Sequence, residues 1–130
     1  MAVKLVYWIS TGLVCLVYLG SAAFYTFSMT AVQETFIGFG YPGYLPYLLV
    51  PIKLLAVAAL LVRRPIWLAQ LAYAGSFYHL LLAFTAHVGA GDPGFVPAVV
   101  SFVLLITSWA TQNAVRKGVA AYAPTRFGIA

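Results

Sequence analysis

Charge is confined almost entirely to the gaps between four long apolar stretches, 5–27, 45–62, 67–88 and 96–113. A helix rises about 1.5 Å per residue, so about 20 apolar residues cover the roughly 30 Å hydrocarbon core of a bilayer. Backbone polar groups in lipid must be satisfied internally, and a helix does this within its own segment. The expected fold is therefore all-α, an integral membrane four-helix bundle. Only 7% of the 130 residues are charged, against about 25% in a soluble domain. Four spans with short connections use nearly every residue, which leaves a single membrane domain over 1–130.

The gaps carry their own signals. Thr30 followed by Gln33 fits a capping box, and a short interfacial helix is expected over 31–39. Glycines and Pro42 break it, and Tyr41, Tyr44 and Tyr47 suit the membrane–water boundary, where an aromatic body meets a wet hydroxyl. Pro51 predicts a kink in the second span, because it leaves the Tyr47 carbonyl without its helical donor. Arg63-Arg64-Pro65 ends that span sharply, and Trp67 anchors the next. Residues 89–94 read as a loop, and the tail after Lys117 as poorly ordered.

Lys4, Arg63, Arg64, Arg116, Lys117 and Arg126 fall on one side of this layout, and the two loops bearing Glu34 and Asp92 hold no Lys or Arg. The positive-inside rule places both termini in the cytoplasm. The first apolar run exceeds the usual ~7–15 residue core of a signal peptide, so it is expected to be retained.

Several chemistries are excluded. Cys15 is the sole cysteine, so neither a disulfide nor a thiol pair can form within the chain, and it reads as a packing residue. The net charge of +5 sits beside apolar segments rather than on a basic, aromatic-rich soluble face, which argues against nucleic acid. His79 and His87 share one helix about 12 Å apart along its axis and cannot clamp one haem iron. No metal-ligand spacing is present, and Gly38-Phe39-Gly40 is no phosphate cradle. No cofactor motif is evident.

Lys53 stands about nine residues from either end of the second span, where a charge costs roughly 2.5–3.5 kcal/mol on insertion scales. His79 lies at mid-depth in the third span, within a stripe of Ala72, Ser76, Ala83 and Ala86 that is expected to mark close helix packing. Glu34, from the interfacial helix, could reach Lys53. A Glu34–Lys53–His79 polar cluster, with Tyr78 as a neighbouring hydroxyl, is the candidate site; Tyr41, Tyr44 and His87 are secondary candidates. His87, near the outer end, is expected to bond water or a loop carbonyl. The alternative is purely structural, Lys53 bonding carbonyls freed near Pro51 or snorkelling outward. The Gly12, Leu16 and Gly20 face of the first helix implies a close neighbour, either another helix or another copy.

Gln33-Glu34, Gly40-Tyr41-Pro42, the segment from Lys53 to Leu61, Ala72-Tyr73-Ala74-Gly75, Ala86-His87 and Gly91-Asp92 occur in that order. With these motifs the chain resembles the DoxX-like family of small four-helix membrane proteins. The resemblance implies a bundle in the bacterial inner membrane, with Glu34 and Lys53 as family polar positions. Relatives include a small subunit of a thiosulfate:quinone oxidoreductase, members tied to oxidative-stress partners, and an animal chaperone for nicotinic acetylcholine receptors. It also implies an acid in the third span where this sequence has His79, and a lysine–imidazole contact disfavours both groups being charged.

The leading expectation is an accessory bundle, not an enzyme on its own, that binds a lipid-like or quinone-like molecule or a partner membrane protein. So small a bundle is expected to place its ligand in a lipid-facing groove or at a homo-oligomer interface, because drug-sized pockets need about 300 Å³ or more. The alternative is a subunit of a quinone-linked oxidoreductase, with Tyr78, Phe77 or Trp109 stacking on the ring. A small proton-coupled transporter would have to rely on Glu34, since no span contains an acid.

Overall fold

The computed structural model describes residues 1–125; Arg126, counted above among the basic residues, lies outside them. Five helices follow one another: α1 (Ala2–Phe27), α2 (Met29–Gly38), α3 (Leu45–Val62), α4 (Ile66–Ala90) and α5 (Phe95–Val115). All but α2 are long and apolar enough to cross a membrane. Each of these four also exposes large apolar side chains, among them Leu16, Leu55, Leu71 and Val103. An apolar belt on every helix is stable in lipid and not in water.

The central helix is α1. It packs on α3 along one side and on α5 along the other, α4 closes against α5, and the sequence-adjacent pair α3 and α4 touch less than any of these three pairs. Polar knobs account for this order. Ser108 on α5 shares hydrogen bonds with Thr11 of α1 (2.6 Å) and the Tyr73 hydroxyl of α4 (2.7 Å), all buried. The small side chains of Ser10, Thr11, Cys15, Ser101 and Ser108 let the backbones approach, which is the main source of helix association where lipid is the solvent. Above this layer Val14, Tyr18, Val57, Leu60, Leu80 and Leu105 form the apolar core.

The termini-bearing end is tied by arginines that the sequence marks only as topology signals. Arg63 caps α3 in the left-handed region (φ 53°) and is 3% exposed. Its guanidinium donates to Gln112 Oε1, Asn113 Oδ1 and the carbonyls of Lys117 and Gly118 at 2.9–3.3 Å. Arg116 donates to the last carbonyls of α3, Leu61 and Val62, where a cation also complements the helix dipole.

Three expectations need correction. Ser28, not Thr30, precedes α2, so no capping box forms, and Gln33 instead donates to the Gly43 carbonyl at 2.8 Å. The tail is held as far as it is described: Asn113 bonds the carbonyls of Ala120 and Ala123 and the Ala120 amide, and both alanines are buried. Leu16 and Gly20 face outward, so the close neighbour expected on that side of α1 is not a helix of this chain. Pro51 lies inside α3, which is helical from Leu45 to Val62.

Candidate functional site

Because α3 and α4 diverge, a cavity of about 800 Å³ opens between them, with α1 behind it and α2 across one end. It exceeds the roughly 300 Å³ of a small-molecule pocket, so no second copy is needed to make room. Its walls are mainly apolar, and the exposed Leu55, Leu71 and Tyr78 at its rim open it sideways toward lipid. The stripe of Ala72, Ser76, His79, Ala83 and Ala86 borders this space. Its small side chains clear a void rather than bring two helices together.

Lys53 enters the cavity from the middle of α3 and is 4% exposed. Its ammonium donates to the Ser21 hydroxyl and lies 4.0 Å from the centroid of the Tyr25 ring. Ser21 and Tyr25 belong to the last third of α1, so the stem starts at mid-depth while the charge is drawn toward the end that α2 covers. The ring face supplies electrostatic attraction that the apolar wall cannot. Tyr18, one helical turn before Ser21 and Ala22, is 3% exposed, and its hydroxyl, with Ser76 of α4 close by, makes no hydrogen bond of normal geometry among the described residues. An unpaired buried hydroxyl costs about 1–3 kcal/mol. The His79 ring stands edge-on to Tyr18, centroids 6.0 Å apart, on the same wall.

The structure thus brings Lys53 and His79 to one cavity, and it does not bring Glu34 to them. Glu34 is exposed on α2, outside the cavity lining, and forms no ion pair with Lys53. Tyr78 sits on the rim and Tyr41 beside Phe36 in the mouth, whereas Tyr44 is exposed outside the lining. His87 pairs through Nδ1 with the Asp92 carboxylate at 2.7 Å rather than with a carbonyl, and Asp92 also accepts from the Gly94 amide. The Phe39 ring packs on His87, which ties α2 to the end of α4. Phe77 packs on Phe102 and Trp109 on the core, so neither can stack on a molecule in the cavity.

Sequence reasoning missed Tyr18, Ser21 and Tyr25. Their spacing of three and four along an otherwise apolar span is a polar helical stripe that was available to be read.

A family model described as the DoxX-like family matches residues 9–111. The chain belongs to the DoxX-like family. The matched segment contains every residue that lines the cavity and most of each span, so in this DoxX-like protein the site lies inside the family unit. No curated protein and no solved structure matches the chain. Membership makes it an integral membrane protein. Among the described residues of this DoxX-like chain, no group of three His, Cys, Asp or Glu could hold a metal ion.

Proposed function

We propose that this protein is an accessory bundle of the bacterial inner membrane, with both termini cytoplasmic, that binds a lipid-like or quinone-like molecule between α3 and α4. The observation that carries the reading is a laterally open apolar cavity of about 800 Å³ holding a buried lysine without a carboxylate and a buried tyrosine hydroxyl without a partner. Lys53 has three N–H donors and uses one on Ser21, and the Tyr18 hydroxyl has none in use. Such a site asks for an acceptor oxygen on a largely apolar molecule. A carbonyl or acidic head would bond Lys53 and Tyr18, and its tail would leave through the rim into the bilayer.

A quinone-like head is favoured by the aromatic walls, because Tyr18, Tyr25, Phe36 and Phe39 line the cavity, Tyr25 against the ammonium. As a subunit of a quinone-linked oxidoreductase the protein would hold the quinone while a partner membrane protein moved the electrons. The transporter reading loses its acid, since Glu34 stands outside the cavity.

Native mass spectrometry of the full chain in lipid nanodiscs tests the reading. The expected result is a discrete lipid or quinone adduct on the wild type that is absent from Lys53→Met. An adduct retained at equal occupancy in that variant, or none on either form, would overturn it. A reporter fused after Ala130 and active only outside the cytoplasm would overturn the orientation.

A further inference from the structure

Four of the chain's seven Lys and Arg converge at the termini-bearing end. Arg63, Arg64, Arg116 and Lys117, with Val62, Ile66 and Val115, line a cleft of about 340 Å³ between the α3–α4 turn and the end of α5. The chain's two acids, Glu34 and Asp92, lie on α2 and in the α4–α5 loop, at the opposite end of the bundle. Among the described residues no carboxylate faces the cleft.

The four cations play two roles. Arg63 and Arg116 are fixed, Arg63 by Gln112, Asn113 and the chain turning back after α5, Arg116 by the α3 carbonyls and by the Trp8 ring 5.2 Å away. Arg64 and Lys117 are exposed and make no side-chain hydrogen bond among the described residues. The uncapped first turn of α4, at Ile66, also opens on the cleft; its amide dipoles favour an anion, while the carbonyl ends of α3 and α5, at Val62 and Val115, oppose one and are met at α3 by Arg116. Burial, with the Arg116 charge adding to it, holds the Arg63 guanidinium below its ordinary pKa. Like charges gathered beside a low-dielectric medium repel strongly, and an anion among them turns that repulsion into attraction.

We propose that this cleft binds a phosphate-type oxyanion, with Arg64 and Lys117 as its direct donors and Arg63 and Arg116 as fixed charges behind them. A tetrahedral, multiply accepting anion suits cations arriving from several directions, and guanidinium groups match phosphate geometry. The cleft lies where helix ends meet the membrane boundary, beside exposed Trp8 and near exposed Trp67. A phospholipid headgroup and free inorganic phosphate share the required chemistry. This site is separate from the α3–α4 cavity and stands or falls without it.

The test is thermal unfolding of the full chain in a nonionic detergent at constant ionic strength, with inorganic phosphate, short-chain phosphatidylglycerol or short-chain phosphatidylcholine added. A rise in midpoint with phosphatidylglycerol alone identifies a lipid headgroup site, and a rise with inorganic phosphate as well identifies a general phosphate site. In Arg64→Gln/Lys117→Gln the added anion should bind about tenfold or more weakly. Arg64→Gln alone makes the same comparison if the double variant does not fold. No response to either anion, an equal response to phosphatidylcholine, or an unchanged response in the variants would overturn the proposal.

Discussion

The Lys53 ammonium reaches from α3 to the Ser21 hydroxyl of α1 and rests 4.0 Å from the centre of the Tyr25 ring, with no acid beside it. A hydroxyl and a ring face compensate a buried charge only in part, so this contact is a cost to the bundle unless something else uses it. That asymmetry separates a binding residue from a structural one.

Lys53→Met keeps the volume and removes the charge. It should raise the thermal stability of the ligand-free protein in detergent, by about 1–3 kcal/mol, while abolishing adduct formation. A lowered unfolding midpoint would mean that Lys53 holds α1 and α3 together.

Tyr18→Phe removes a buried hydroxyl that has no partner and leaves the ring against His79. Without ligand its stability should match or exceed that of the wild type by up to about 1 kcal/mol. Ligand affinity should fall roughly tenfold, since a hydrogen bond to a ligand head is lost. Isothermal titration with a soluble quinone analogue reads the affinity, and unchanged binding would remove Tyr18 from the site.

Ser108 is the joint of three helices. Ser108→Ala leaves the buried Thr11 and Tyr73 hydroxyls without the oxygen they share, and should cost about 1–3 kcal/mol in chemical unfolding from detergent. Adding Tyr73→Phe should recover part of that loss. Simple additivity of the two losses would show that the hydroxyls act independently.

Arg63→Ala strips donors from Gln112, Asn113 and two carbonyls at once and should destabilise the protein by about 1–3 kcal/mol or more, the cost of leaving buried acceptors unpaired. Arg63→Lys should not restore it, because one ammonium cannot span the planar fork that reaches all four acceptors. Hydrogen exchange at Gly118 and Ala120 is the local readout, and protection retained in Arg63→Ala would refute this account.

Much of the fold can be read along the chain because its signals are local. The helical spans follow the expected stretches to within a few residues, since each is set by apolar length and by the glycines, prolines and arginines that stop it. Capping, by contrast, depends on the angle at which α2 leaves α1, and Ser28 rather than Thr30 takes the turn. Arg63 and Arg116 look like orientation signals because charge is the only property visible in their context; their bonds run to residues about fifty positions away.

The candidate site divides in the same way. Lys53 and His79 stand out because a polar group inside an apolar span must be accommodated. Glu34 belongs to the same expectation and lies elsewhere, since reaching Lys53 required α2 to dip in an orientation that it does not take. Length, apolarity and polar interruptions, all properties of single segments, account for the membrane-spanning helices and the midspan lysine. That α1 rather than α4 partners α3 depends on polar contacts between segments distant in sequence, such as Thr11 with Ser108, and this arrangement opens the cavity between two neighbouring helices and surrounds Lys53 with residues of α1.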